Sequence, residues 1–244
     1  MPDNIIRGAS INGMRIFSSS GIVLSGLILY LDAGNTASYP GSGTTWTDLS
    51  GNNNGTLTNG PTYSSSYGGG LVFDGVNDYV TFNSVINNFS AFTILSWARP
   101  TGNLTSSYNG IMFQGQESYP LTDSQVFSLF VNTNAGAAGG YGWAETRYTM
   151  PISVNNTYMF GCTATSTQTI QYLNDTAQST TNYSTIANFN STRAFQIGKS
   201  VAYPGSLSIN YFAGSIFNMM VYNRALTAAE ISQNFNVLRT RFGI

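Results

Sequence analysis

The sequence predicts an all-β domain, a sandwich or a barrel, followed by one C-terminal α-helix. Two observations carry this expectation. Short apolar runs rich in β-branched and aromatic residues recur along the chain with turn signals between them. After Tyr222 the apolar spacing becomes helical and stays so to the end of the sequence. Charged residues make up only 8% of the 244, against about 25% in ordinary globular proteins, so the surface is expected to consist of Ser, Thr, Asn, Gln, Gly and Tyr.

Residues 1–20 are mixed and Ser/Gly-rich and read as an arm, the expected place for an assembly contact. Residues 21–244 are expected to form one domain, with no internal repeat. The apolar run Gly21 to Asp32 reads as a buried strand. Further strands are expected at Leu71–Phe73, Tyr79–Phe82, Phe92–Arg99, Gly110–Phe113, Val126–Asn132, Thr157–Thr165, Thr169–Leu173, Ala194–Ile197 and Phe212–Tyr222. Asn59-Gly60-Pro61, Asp74-Gly75, Asn109-Gly110, Asn174-Asp175 and Tyr203-Pro204-Gly205 are the turns between them. Pro40 to Ser66, Gly102 to Asn109 with Gly115 to Ser124, and the Gly/Ala-rich Thr133 to Gly142 read as long polar loops.

The helix has a start, a face and a stop. Thr227 and Glu230 form a Thr-x-x-Glu capping box, in which each side chain reaches the other's free backbone N–H. Ala228 and Ala229 favour helix. Ile231, Phe235, Leu238 and Phe242 share one face, a packing stripe. Arg239 and Arg241 suit the negative end of the helix dipole, and Gly243 is a C-terminal stop.

Composition excludes several chemistries. The net charge is −1 and the cations are scattered, so the counterion-releasing patch that nucleic acid demands is missing. There is no histidine, which removes Ser-His-Asp catalysis, histidine-based zinc sites and histidine pH switches. The single cysteine, Cys162, sits in an apolar segment and is expected to be buried and inert. Met1-Pro-Asp-Asn-Ile-Ile-Arg is not a secretory leader and Gly21 to Leu31 is too short to span a bilayer. Synthesis in a cytoplasm, without membrane insertion, is the expectation.

Five segments together resemble one family. Tyr30-Leu-Asp-Ala-Gly-Asn-Thr looks like its opening strand and turn. Trp46-Thr-Asp-Leu-Ser-Gly-Asn-Asn-Asn-Gly-Thr-Leu matches its Trp-x-Asp-x-Ser-Gly-Asn motif, and Leu71-Val-Phe-Asp-Gly-Val-Asn-Asp-Tyr-Val its Phe-Asp-Gly-x-x-Asp-Tyr-Val strand pair. Phe92-Thr-Ile-Leu-Ser-Trp-Ala-Arg-Pro resembles its central strand, and the last strand and helix resemble its close. The family is the laminin-G-like group of concanavalin A-like lectin/glucanase sandwiches. The resemblance implies a jelly-roll of two antiparallel sheets, with Trp46 and Trp97 as core anchors. It implies that Asp48 holds its turn by accepting backbone N–H groups and that Asp74-Gly75 closes a corner. The last strand, Ile216-Phe-Asn-Met-Met220, departs from the family by being apolar on its outer face. A covering by another subunit or by residues 1–20 is the expectation there.

Similar modules ending in this helix occur in structural proteins of tailed bacteriophages. The resemblance therefore implies a non-enzymatic virion component on a capsid, tail or fibre. Such a component would be homo-oligomeric, joined to other virion subunits through residues 1–20 and Ile216–Met220. The alternative is a free carbohydrate-binding module. Exposed loop aromatics would stack on sugar faces, and Tyr39, Tyr67, Tyr108, Tyr119, Tyr141, Trp143 and Tyr203 are the candidates. Trp143, Tyr141, Tyr108, Tyr203 and Tyr39 are the ligand-binding set, facing a host-surface glycan or a protein partner. Sandwiches of this kind often hold Ca²⁺, and Asp74, Asn77, Asp78 and Asp32 are the candidate oxygen ligands. Asp74 and Asp78 are equally ordinary turn formers. Some members cleave polysaccharides, which takes two positioned carboxyls. The glutamates Glu117, Glu145 and Glu230 show no such pattern, and Glu230 is assigned to the cap.

Overall fold

The computed structural model describes residues 21–83, 90–101, 109–114, 127–132, 136–141, 144–146, 150–182, 194–202 and 208–244. With strands numbered in chain order, the first sheet runs β14 (Thr176–Asn182), β13 (Gln168–Leu173), β12 (Tyr158–Ala164), β7 (Phe92–Pro100), β18 (Ala213–Ile216), β5 (Gly70–Asp74) and β4 (Thr62–Ser64). Where β18 stops, β19 (Asn218–Tyr222) continues beside β7 and carries β1 (Leu27–Asp32) on its far side. The second sheet runs β11 (Ala144–Thr146), β10 (Gly136–Tyr141), β9 (Phe127–Asn132), β8 (Asn109–Gln114), β15 (Gln196–Ile197), β6 (Tyr79–Phe82), β3 (Gly55–Thr58) and β2 (Thr45–Trp46). β16 (Lys199–Ala202) and β17 (Ser208–Tyr211) form a separate hairpin. The sheet pairings are antiparallel, as a jelly-roll sandwich requires. Helix α1 (Ala228–Leu238) follows β19 and tightens into a 3-10 turn at Arg239–Phe242.

Strand β7 shows why the first sheet is apolar on both faces. Its even positions, Phe92, Ile94 and Ala98, face the second sheet in a core with Phe160, Phe82, Val80, Ile197 and Trp46. Its odd positions Leu95 and Trp97 face outward into a second core with Met159, Tyr172, Phe217 and Met220. That outer core is roofed by Ile231, Phe235, Leu238 and Phe242 of the helical segment. The Trp97 ring stacks on both Phe235 and Phe242, with centroids 5.5 and 4.3 Å away. A strand buried on both faces loses the polar alternation that marks a one-sided strand.

Several expectations are confirmed residue by residue. Trp46 and Trp97 are fully buried. The Asp48 carboxylate accepts from the N–H groups of Tyr30, Ser50 and Asn53 and from the Ser50 hydroxyl. The capping box at Thr227 and Glu230 is formed as expected. Cys162 is buried, and burial pushes its thiol up to about 12.

Others are corrected. The Ile216–Met220 stretch is wholly buried within this chain, so no second subunit or arm is required to cover it. Its outward residues Phe217 and Met220 pack under the chain's own helix. The expected strand Phe212–Tyr222 is interrupted at Phe217, where Asn218 Oδ1 takes the Trp97 N–H in place of a ladder carbonyl. The run from Gly21 begins as a turn rather than a strand. Leu27 N–H closes on Leu24, Gly26 has φ of +79°, and Ile22 and Val23 pack under the helix. The Pro40–Ser66 loop contains β2, β3 and β4, and the Gly/Ala-rich loop is strand β10. β10 passes close to β12 and β13 of the facing sheet, an approach that small residues permit. Residues 1–20 lie outside the described residues. No described helix is long and apolar enough to cross a membrane.

Candidate functional site

The helix roofs Leu95 and Trp97 but not Arg99, two residues further along the same face. Cross-strand register places Arg99, Ser215, Val72 and Thr62 in one row across β7, β18, β5 and β4. All four are half-buried or exposed. They form the floor of a polar shelf on the outer face.

Tyr67 walls this shelf. It sits in the 3-10 turn Ser66–Gly68 with φ of +53° and ψ of +31°. That left-handed conformation costs a bulky residue about 1–2 kcal/mol. Tertiary contacts hold it there. The Tyr67 carbonyl accepts from Arg241 Nε at 2.7 Å, and its ring meets Phe217 edge-on at 5.7 Å. The residue remains 37% exposed. The Arg99 guanidinium lies 5.3 Å from the ring centroid, a cation–π distance. Its Nε donates to the Asn155 carbonyl at 2.8 Å. Asn155 is itself left-handed, with φ of +66°, and its N–H donates to the Pro100 carbonyl.

A buried ion pair stands behind the shelf. Arg241 meets Asp32 at 2.7 Å with side chains 2% and 0% exposed. Arg241 also donates to the Gly69 carbonyl, and Asp32 accepts from Gly34 N–H and the Tyr30 hydroxyl. Burial, and then the Asp32 charge, push the Tyr30 hydroxyl far above its usual range. Arg241 therefore anchors the end of the helical segment and the Tyr67 turn together.

The residues expected to bind ligand fare unequally. Tyr39 is not a surface aromatic. It is 3% exposed, its hydroxyl donates to the Gly43 carbonyl, and its ring packs on Tyr63 at 5.8 Å. Tyr141 ends β10, in register with Phe127 and Ala144. Tyr108, Tyr119, Trp143 and Tyr203 lie outside the described residues. Among the expected loop aromatics, Tyr67 is the one the described structure places on an open face. Arg99 escaped the sequence reading. Its position two residues after Trp97, hence on Trp97's face, was the available signal.

Three of the four candidate calcium ligands, Asp74, Asn77 and Asp78, share one corner. Asp32 is committed to Arg241. Asp74 Oδ1 accepts from the N–H groups of Val76 and Asn77, which hold its carboxyl below the usual range. Asp78 is 4% exposed and accepts from Asp74 N–H, while burial raises its carboxyl. The Asn77 carbonyl accepts from Asn59. These groups close the corner at Gly75, where φ is +77°. Among the described residues no cluster of three or more acidic, Cys or His side chains is placed to hold a metal. Of the glutamates, Glu230 is bound bidentately by Arg224 at 2.6 and 2.9 Å besides its capping bonds. Glu117 lies outside the described residues.

A family model described as the concanavalin A-like lectin/glucanases superfamily, of the laminin-G type, matches residues 74–232. The chain belongs to this superfamily. No curated protein sequence matches it. Among solved structures, this concanavalin A-like chain is similar to a Trypanosoma rangeli sialidase mutant displaying trans-sialidase activity. The TM-score is 0.62 at 17% identity, over 87% of this chain and 33% of that one. The chain thus spans about a third of the sialidase. It is also similar to domain 4 of an extracellular arabinanase from Geobacillus stearothermophilus, solved in complex with arabinotriose. There the TM-score is 0.65 at 15% identity, over 85% of this chain and 97% of that domain. A third likeness is to the binding domain of a Paraclostridial mosquitocidal protein, with TM-score 0.64, 15% identity and coverage of 86% and 52%. At these identities the likeness is one of fold, a lectin-like sandwich.

Proposed function

We propose that this concanavalin A-like chain is a non-catalytic glycan-binding module whose binding face is the outer shelf beside Tyr67. One observation carries the reading. Tyr67 is held in a left-handed conformation by Arg241 and Phe217, yet stays 37% exposed as a residue next to a fixed guanidinium. Backbone strain sustained by tertiary contacts concentrates at binding sites. A rigid aromatic face loses little entropy when a sugar stacks on it. The arabinanase domain with its bound arabinotriose supports the reading by fold.

A glycan array probed with the full chain tests it. The expected result is retention of at least one glycan, loss of that retention in Tyr67→Ala, and an unchanged response to EDTA. No polysaccharide product is expected, since Glu230 is committed to the cap and Arg224. A Tyr67→Ala variant that folds and binds as before would remove the shelf from consideration.

We also propose that the module is a virion component of a tailed phage, displayed in several copies and carried by residues 1–20. What favours this is the capped helix behind the last strand, the feature it shares in sequence with such phage modules. Deleting residues 1–20 should abolish particle incorporation, seen by imaging, and leave the sandwich folded. Assembly of the truncated protein would refute the arm's role.

A further inference from the structure

We propose that the Arg99 guanidinium is a carboxylate-selecting subsite, so that the shelf takes acidic glycans, those bearing uronic or nonulosonic acid units. The proposal rests on the glycan-binding reading of this shelf and narrows its ligand.

Arg99 is fixed from two sides. Asn155 holds Nε, and the Tyr67 ring holds the guanidinium at cation–π distance. Those contacts engage Nε and leave the two terminal nitrogens as a fork. Among the described residues no carboxylate pairs with Arg99, whereas Arg224 and Arg241 are taken by Glu230 and Asp32. Asp74, on the same sheet face but two strands over, has its Oδ1 occupied by Val76 and Asn77 N–H groups. A pre-positioned guanidinium fork matches the two oxygens of a carboxylate, and such charge-assisted pairs outweigh neutral hydrogen bonds. Holding a guanidinium in place with no acid partner among the described residues leaves its charge for something that arrives. An acidic sugar offers both required parts, an apolar ring face for Tyr67 and a carboxylate for Arg99.

The test is calorimetric titration of the full chain with two probe pairs. One pair is an oligogalacturonate and the same oligomer as its methyl ester. The other is sialyllactose and lactose. The expected result is that the acidic member of one pair binds about tenfold more tightly than its neutral counterpart, the weight of one charge-assisted contact. The pair that responds identifies the uronate or the nonulosonate source. Arg99→Gln should erase that preference while keeping the thermal unfolding profile, and Arg99→Lys should retain part of it. Equal affinity for acidic and neutral members would overturn the proposal and leave the glycan-binding reading intact. An acid preference that survives in folded Arg99→Gln would overturn the assignment to Arg99. Binding of none of the four probes would overturn the proposal, while the array with neutral glycans separately decides the glycan-binding reading.

Discussion

Asp32 and Arg241 lie 209 positions apart and meet in a site closed to water. Removing one partner of a buried pair leaves an unpaired charge and costs about 3–5 kcal/mol. Arg241→Met is expected to lower the unfolding free energy measured in urea by that order, and Asp32→Asn in the same chain to recover much of it. Additive losses in the double variant would show that the two do not act as a pair. Gly34 belongs to the same cluster, because a methyl group there would collide with the Arg241 guanidinium and the Gly68 carbonyl. Gly34→Ala should therefore destabilise the fold although φ at Gly34 is unremarkable, and thermal unfolding measures it. In the sequence Arg241 reads only as a helix-end cation. Its partner emerges from a turn motif at the other end of the chain, which no local pattern connects to it.

At the scale of elements, α1 is the segment whose stability is most readily dissected. Thr227→Ala removes the side-chain half of the capping box and is expected to cost about 1 kcal/mol in chemical denaturation. Glu230 adds a pH dependence. Its carboxyl is lowered from 4.5 to about 2, chiefly by the Arg224 guanidinium and then by Thr227 N–H. A lowered acid stabilises the folded state while ionised. Its contribution is therefore complete above pH 4.5 and is lost as the pH falls toward 2. Thermal scans across that window should show Glu230→Gln losing less stability on acidification than the parent chain. An identical slope in both would assign the acid sensitivity elsewhere. The cap was legible because Thr-x-x-Glu is a local arrangement. The Arg224 contribution was not, since it depends on how the chain turns between β19 and α1.

For the whole molecule, the decisive feature is the second core. The first sheet is sandwiched twice, by the second sheet on one face and by the C-terminal segment on the other. Phe242 stacks on Trp97 at 4.3 Å, alongside Phe235, and packs on Phe217 at 4.9 Å. Deleting residues 239–244 should uncover those rings and free Asp32 of its partner. The expected outcome is a lower melting temperature with increased binding of a hydrophobic dye. A truncated chain that melts like the parent would show that α1 by itself suffices as a roof. The same segment bounds the outer shelf proposed for glycan binding, since Arg241 fixes the Tyr67 carbonyl. The truncation should thus weaken glycan retention as well.

The amino-acid sequence by itself determined the β architecture, the helix with its cap, the Asp48 turn and the two tryptophan anchors. Each of these is set by local spacing or by a motif whose partners lie within a few residues. Tertiary structure decided the rest. It turned an apparently exposed apolar strand into the floor of an internal core, because the helix folds back across it. It buried Tyr39, whose hydroxyl reaches the Gly43 carbonyl and whose ring packs on Tyr63, and it made a strand of the Gly/Ala-rich loop, because sheet pairing satisfies backbone groups whatever the side chains suggest. It also brought Tyr67, Arg99 and Asn155 together from three strand ends. Left-handed backbone at a tyrosine has no signature in sequence, since only the surrounding contacts sustain it.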